Sequence, residues 1–204
     1  MGVMAEPLVH RGLSAGSTAT SRASDHLLLE FDAWVGREQR RIFLLCLRMM
    51  QDREEADMAT QDCFVKAHRA LRSGRQMELD DPSKWITRIA VNTCLDRLRS
   101  RSWKLWRRRP AQEDESIILA NAKEASPSAE SRAFASQIAA RVQSAVGELS
   151  ERQRAVFLLR HYEDRKLEEI AEILGLDVGT VKAHMARAMA KLRTLLQDLY
   201  GELK

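Results

Sequence analysis

The sequence predicts an all-α protein with two small helical domains joined by a flexible linker. Apolar residues recur at three- and four-residue steps in two separate stretches, the pattern of amphipathic helices, and no stretch alternates as a strand would. A segment without periodicity separates them, and its composition is that of a linker. The predicted boundaries are 1–25 for a disordered tail, 26–109 for the first domain, 110–131 for the linker and 132–204 for the second domain.

The first domain is predicted to contain three helices. A polar stretch that begins at Ser73 interrupts the helical pattern and predicts a loop. Asp81 followed by Pro82 predicts an N-cap with proline in the first turn of the next helix. The three helices are predicted to begin near Asp25, to extend from Arg53 to Leu71, and to extend from Pro82 to about Trp103.

The second domain is predicted to contain four helices. SERQ, at Ser150–Gln153, matches a capping box, and Gly175 suits the left-handed position after a helix. Asp177 predicts the cap of the last helix. The helices are predicted to extend from about Arg132 to Gly147, from Ser150 to His161, from Leu167 to Leu174, and from Asp177 to Leu199.

The composition excludes several classes of protein. Of the 204 residues, 45% are hydrophobic and 30% charged, no apolar run is long enough to cross a bilayer, and the N-terminal segment lacks the apolar core of a secretory signal. A cytoplasmic protein without membrane insertion is therefore expected. Cys46, Cys63 and Cys94 lack metal-ligand spacing and are expected to be free buried thiols. The sequence contains no combination of side chains typical of a catalytic site. Enzymatic activity, a metal site and a cofactor are therefore not expected.

Charge is distributed unevenly along the chain. The net charge is only +4, but the stretch from Lys84 to Arg109 contains nine basic residues against Asp96 alone. Such a run is suited to phosphate groups. An acidic cluster precedes it, formed by Glu54, Glu55, Asp57 and Asp62. Two chemically different partners are therefore predicted.

The segment Leu167–Leu192 predicts a helix-turn-helix, because a short helix, a glycine turn and a second capped helix follow one another. The alternative is a helical hairpin within an all-helical core. Gly175 and Asp177 lie in register with both apolar stripes, which favours the DNA-binding motif. The residues expected on the outward face of its second helix are Thr180, Lys182, Ala183, His184 and Arg187.

Two stretches resemble the extracytoplasmic-function (ECF) sigma factors of bacterial RNA polymerase. The first comprises DREEADMATQDCFVKAHRAL and PSKWITRIAVNTCLDRLRSRSWK and resembles region 2, and the second, Leu149–Arg193, resembles region 4. The resemblance implies a transcription initiation factor that directs core polymerase to promoters. It also implies three partners: the β′ clamp helices and β flap of the polymerase, promoter DNA, and an anti-sigma factor.

The resemblance also assigns residues to each partner. Those that match the clamp-binding motif are Asp57, Gln61, Asp62 and Phe64, with Met58 where the family usually has Asp. Those assigned to the melted −10 element are Asn92, Arg88, Trp85, Asp96, Arg97, Arg99 and Arg101, next to a specificity loop at 73–81. Lys182, Ala183 and Arg187 match the −35 positions.

Several side chains have two possible roles at this stage. Trp85 either stacks on a base or packs in the core, Trp103 and Trp106 either stack on nucleic acid or cover the edge of the domain, and Arg187 contacts either guanine or phosphate. Thr87 occupies a position that is often aromatic in relatives, and Asp96 is expected to pair with nearby arginines. The alternative function is a signal-regulated helix-turn-helix regulator, which would need an α/β input domain. A helical adaptor that binds polymerase but not DNA would leave the arginine run unexplained.

Overall fold

The computed structural model describes residues 26–73, 81–100 and 129–198, with the backbone alone for 129–134. All regular structure in these ranges is helical, so the prediction of an all-α fold is confirmed. Several predicted features lie outside the described residues: the tail, most of the loop (74–80), most of the linker (up to residue 128), and the side chains of Arg101, Trp103 and Trp106. The long helices are α1 (Phe31–Met50), α2 (Arg53–Arg72), α3 (Pro82–Arg99), α4 (Ala129–Gly147), α5 (Glu151–His161), α6 (Leu167–Leu174) and α7 (Val178–Leu195).

Helices α1, α2 and α3 form a first bundle around an apolar core. The carboxylate of Asp52 caps α2 by accepting a hydrogen bond from the backbone N–H of Glu55 at 2.9 Å. Asp81 caps α3 as predicted, because its Oδ1 accepts hydrogen bonds from the backbone N–H groups of Ser83 and Lys84 at 2.9 and 3.0 Å. All three helices contribute fully buried side chains, among them Ile42, Leu45, Cys46, Ala59, Cys63, Ile86, Val91 and Cys94.

Helices α4 to α7 form a second bundle, in which α5 packs against both α6 and α7. Gly175 ends α6 with φ 62°, and the backbone N–H of Leu176 donates to the carbonyl of Ala171 at 2.9 Å. The carboxylate of Asp177 then accepts a hydrogen bond from the backbone N–H of Thr180 at 2.8 Å and caps α7. Helices α6 and α7 therefore form the predicted helix-turn-helix.

The two bundles pack on one another, α3 against α6 and α1 against α5. Buried apolar residues of both bundles belong to one core. Arg154 on α5 crosses between them: its buried guanidinium donates to the carbonyl of Met49 at the end of α1 and to the carbonyl of Val146 at the end of α4. The described halves of the chain are thus held together by side-chain contacts as well as by the chain itself.

Three predicted helix boundaries are wrong. The third helix ends at Arg99 instead of continuing to Trp103, because Ser100 has an extended backbone and its hydroxyl donates to the carbonyl of Arg97 at 2.9 Å. Helix α4 begins at Ala129, so the end of the predicted linker is helical, and α7 ends at Leu195, before the predicted Leu199. Apolar spacing does not determine where the last turn of a helix stops.

Substitution of Gly175 by alanine is expected to lower the free energy of unfolding by about 1–2 kcal/mol, because a Cβ disfavours the left-handed backbone. No neighbouring atom lies within 4 Å of the position that this Cβ would take, so strain alone is responsible. Gly36→Ala is the control, since Gly36 lies within α1 and an alanine there should raise the free energy by about 0.5–1 kcal/mol. Denaturant unfolding measures both, and changes of the same sign would contradict the assignment.

Candidate nucleic-acid and partner interfaces

The outward face of α2 presents the residues predicted to contact the polymerase. Asp57, Gln61 and Asp62 are all exposed, and the side-chain amide of Gln61 donates to the carboxylate of Asp57 at 2.8 Å. Phe64 points the other way: it is 9% exposed and its ring lies edge-on to Trp34, with centroids 6.0 Å apart. The helix is therefore anchored on one face and polar on the other.

Two apolar side chains lie on the same outward face. Met58 is 43% exposed and Val65 is 47% exposed, and their spacing places them along one side of the helix. Val65 was not among the predicted site residues, although its position outside the buried stripe of Ala56, Ala59 and Cys63 is a usable sequence signal. The face therefore combines carboxylates with apolar contact area.

An ion pair connects the predicted polymerase face to the predicted DNA helix. Arg97 on α3 donates to Asp62 at 2.7 Å and to Glu55 at 2.8 Å, both on α2. Burial opposes the charge of Arg97, but its hydrogen bonds to Asp62 and Glu55 raise its pKa above the usual value. The prediction treated Asp62 and Arg97 as parts of separate sites, and the structure places them in one bridge.

A polar stripe remains on the outward face of α3. Its members are exposed and recur at three- or four-residue steps: Arg88, Asn92, Asp96 and Arg99. Asp96 has no ion pair among the described residues, which do not include Arg101, and Arg97 pairs with α2 instead. The predicted pairing of Asp96 with arginines therefore stays a prediction. The stripe brings an amide and two guanidinium groups to one surface.

Thr87 faces away from this stripe, whereas Trp85 lies seven residues before Asn92, on the same side of α3, and is half-buried. The indole of Trp85 stacks on Trp34, with centroids 6.1 Å apart and an angle of 27° between planes, which supports the core-packing alternative. Thr87 is fully buried, and its hydroxyl donates to the carbonyl of Ser83 at 2.8 Å and accepts from Arg41 at 2.9 Å. Thr87 is therefore not presented to an outside ligand, whereas Trp85 keeps part of its surface exposed.

Helix α7 presents its basic residues beside a capped N-terminus. Lys182 and Arg187 are exposed, whereas Ala183 and His184 are half-buried. Thr180 supports the cap, because both its backbone N–H and its hydroxyl donate to Asp177. The first ten residues of α7 therefore carry positive charge that points outward, as a recognition helix requires.

His184 lies between two arginines. Burial, then Arg187, then Arg152 lower its pKa below the usual value. Its Nδ1 and one terminal nitrogen of Arg152 are buried without a hydrogen-bond partner among the described residues. Arg152 was not predicted as a site residue, since it belongs to α5 and only the fold brings it to α7.

The described residues offer little to a small ligand. They contain no group of His, Cys, Asp or Glu side chains suited to a metal ion. Within the same ranges, no helix is long and apolar enough to span a membrane. The three cysteines are free and buried, and burial raises the pKa of Cys63 well above its usual value. An open groove beside Asp57 lies between α1 and α2 and is lined by Gln39, Phe43, Arg53, Glu54 and Thr60.

Comparison with known protein families identifies the family to which the chain belongs. The model described as "Sigma-70 region 2" matches residues 34–104, and "Sigma-70, region 4" matches residues 139–192. The RNA polymerase sigma-H factor of Pseudomonas aeruginosa is 32% identical over 180 residues, covering 84% of this chain and 89% of that protein. The ECF RNA polymerase sigma factor SigM of Mycobacterium tuberculosis is 33% identical over 166 residues, covering 81% and 76%. The chain belongs to the ECF sigma factors.

Solved structures agree with this sigma factor in fold. The sigma factor RpoE of Bartonella quintana, in complex with the anti-sigma factor NepR, aligns with a TM-score of 0.61 at 19% identity over 82% of this chain and 97% of that chain. CnrH, in complex with the cytosolic domain of CnrY, aligns with a TM-score of 0.57 at 24% identity over 91% and 99%. These structures show the fold, while the family models and the relatives confirm the predicted family and function, and the alternative of a signal-regulated regulator is not favoured.

Arg97→Ala in this sigma factor is expected to lower the free energy of unfolding by about 1–2 kcal/mol, because it leaves the half-buried Glu55 without its partner. Arg99→Ala is the control, since Arg99 is exposed in the last turn of the same helix. Thermal unfolding of the two variants and the wild type measures the difference. Equal stability of the two variants would show that the bridge between α2 and α3 contributes nothing.

Proposed function

We propose that this sigma factor uses three separate surfaces during initiation: the outward face of α2 for core polymerase, the polar stripe of α3 for the melted −10 element, and the N-terminal part of α7 for the −35 duplex. The observation that carries the proposal is the exposure of Asn92 at the middle of the stripe, on a helix whose other faces are buried. An exposed amide can both donate to and accept from the edge of an unpaired base.

The polar stripe of α3 suits a single strand. Arg88 and Arg99 flank Asn92 and provide charge for backbone phosphates, and an extruded base costs a few kcal/mol that a pocket must offset. Arg97 contributes less directly to DNA binding in this proposal, because both of its ion-pair partners lie on α2. Trp85 contributes by holding α3 against Trp34.

The second bundle suits duplex DNA. Lys182 is exposed in the second turn of α7 and Arg187 near its middle, and a recognition helix enters the major groove with its N-terminal part. The lowered pKa of His184 keeps its imidazole neutral at neutral pH. We assign Thr180 to the cap of α7, and Ala183 to close approach by the DNA.

The outward face of α2 suits a basic helical surface, and its carboxylates and apolar side chains fit the clamp helices of the β′ subunit. The β flap is the proposed contact of the second bundle. Because a structurally similar sigma factor is held by an anti-sigma factor, we propose that this chain has such a partner too. We place the protein in the cytoplasm, where polymerase and DNA are found and where its three free thiols stay reduced.

Asp57→Lys is expected to weaken binding to core polymerase by at least about tenfold, because a like charge would then face the basic clamp surface. Asp57 is a cleaner probe than Asp62, whose ion pair with Arg97 also joins two helices. Asp32→Lys makes the same change of charge at an exposed position of α1, outside the proposed polymerase contacts, and should leave the affinity unchanged. Titration of labelled core enzyme measures both, and equal affinities would remove α2 from the polymerase interface.

Arg187→Ala and Asn92→Ala are expected to impair different steps. The first removes a duplex contact of roughly 1–3 kcal/mol if it is bidentate to a base, so gel-shift affinity for closed promoter should fall. The second should leave that affinity intact but reduce permanganate reactivity of the −10 region, because its partner exists only after a base has left the stack. Arg193→Ala, an exposed arginine near the end of α7, is the control for lost charge. The assignment of Asn92 fails if its alanine variant opens promoters as well as wild type does.

A further inference from the structure

One acidic residue lies within the polar stripe of α3. Asp96 is exposed, and it follows Asn92 by four residues and precedes Arg99 by three, so the three side chains are neighbours on one face of the helix. The sequence of α3 contains no other carboxylate. Arg88, Asn92 and Arg99 have roles in the proposed function, whereas Asp96 has none.

The described cations near Asp96 do not pair with it. Arg97, the next residue, donates to Glu55 and Asp62 on α2 at 2.8 and 2.7 Å. Arg99 lies at the spacing of a helical ion pair, but neither Arg99 nor another cation of the described ranges forms an ion pair with Asp96. Within these ranges the carboxylate of Asp96 therefore faces solvent.

A carboxylate is an unfavourable neighbour for a strand of DNA. It repels the phosphates that Arg88 and Arg99 attract, and so it weakens the binding of any strand that does not hydrogen-bond to it. An ionised carboxylate accepts hydrogen bonds and donates none. The bases that Asp96 favours are therefore those that offer it N–H donors.

The four bases differ in the donors that they present on the edge used for base pairing. Guanine presents N1–H and the N2 amino group side by side, and the two oxygens of one carboxylate can accept both. Adenine and cytosine each present one amino group beside a ring nitrogen that accepts, and thymine presents one N3–H between two carbonyl groups. Only guanine therefore satisfies both oxygens without placing a lone pair against them. In a duplex this edge is occupied by the paired cytosine, so the contact requires a melted strand.

We propose that Asp96 is a specificity-determining residue that recognises an unpaired guanine of the non-template strand in the melted −10 element, next to the base that Asn92 contacts. The proposal rests on the proposed function of the polar stripe and deepens it, because it assigns an identity to one base of the element.

The spacing of Asn92 and Asp96 agrees with contacts to two neighbouring bases. Side chains four residues apart on a helix have Cβ atoms about 5–6 Å apart. Successive bases of a strand are about 3.4 Å apart when stacked, and they move farther apart when the stack opens. Two short side chains at this separation suit two bases better than one. The exposed guanidinium of Arg99 lies on the other side of Asp96, where it offsets the repulsion between the carboxylate and the strand.

Asp96→Asn tests this recognition with almost no change of shape. The amide replaces one accepting oxygen by a donating nitrogen, which suits adenine or cytosine and opposes the two donors of guanine. Holoenzyme is assembled from core polymerase and the full-length chain, either wild type or variant. It then transcribes a library of templates whose −35 and −10 regions are randomised and whose transcripts each carry an identifying barcode.

Wild type should enrich guanine over every other base at one −10 position of the non-template strand by at least about fivefold, since a bidentate contact discriminates strongly. Asp96→Asn should lose that preference at this position and at no other. Arg99→Ala is one control: it should lower transcription of all templates alike, because a phosphate contact carries no base preference. Asp32→Asn is the other control, since it removes an exposed carboxylate from α1 and should change neither the yield nor the preferences.

Inosine tests the hydrogen bonds themselves and needs no variant of the protein. It keeps the N1–H and the carbonyl of guanine but lacks the N2 amino group. When inosine replaces the enriched guanine in the non-template strand, open-complex formation by wild type should fall at least about fivefold, because the carboxylate loses one of two donors. Permanganate reactivity of the −10 region measures this step. Asp96→Asn should respond to the same replacement by less than about twofold, because its amide does not depend on that donor.

The outcomes separate the two proposals. If wild type with core polymerase selects no promoter sequence from the library, the proposed function fails. If wild type selects promoters but Asp96→Asn selects the same −10 bases, the function stands and the recognition of guanine by Asp96 is refuted. An internal ion pair between Asp96 and an arginine would give that result. A general rise in transcription by Asp96→Asn with unchanged preferences also refutes the inference, since the carboxylate then acts through its charge alone.

Discussion

The carbonyl groups at the ends of α1 and α4 constrain this structure, and Arg154 is the side chain that satisfies them. The last carbonyls of a helix have no partner within it, and a buried one that stays unpaired costs about 1–3 kcal/mol. Arg154 donates to the carbonyls of Met49, Val146, Gly147 and Leu149, from three different directions of its planar guanidinium. Since five donors project from a single rigid group, one arginine determines where α5 lies relative to both helix ends.

Helix α3 is the second element around which the fold is arranged. It contacts α1 and α2 in its own bundle and α5 and α6 in the other. Such surroundings explain why a helix from so basic a part of the sequence contains fully buried residues, among them Thr87 and Cys94. Only one face remains for an external ligand, and the polar side chains of α3 that are free of structural contacts are concentrated there.

Capping residues in the sequence predict helix boundaries better than apolar spacing does. Asp81, Asp177 and Gly175 act within a few residues of their own positions, so their roles could be predicted and were confirmed. Ion pairs between residues far apart in the sequence could not be predicted. Arg97 bonds to residues 35 and 42 positions away, and nothing in its neighbouring sequence distinguishes it from Arg99.

In the candidate sites too, features that depend on local sequence could be predicted and features that depend on long-range contacts could not. The exposure of Asp57, Gln61, Asn92 and Arg187 follows from helical periodicity and could be predicted. The role of Trp85 could not be predicted, because a tryptophan beside basic residues is equally consistent with stacking on a base and with packing on another indole. The contact between the bundles was also beyond prediction, since it depends on residues separated by the whole linker.

The three cysteines report on the first bundle alone. Cys46, Cys63 and Cys94 come from α1, α2 and α3 respectively, and each has no exposed surface. A thiol in such surroundings reacts with an alkylating reagent only when the helices around it separate, and the raised pKa of Cys63 slows its reaction further. The second bundle contributes no cysteine. The rate of alkylation of the unmodified protein therefore measures the opening of the first bundle and is not affected by opening of the second bundle alone.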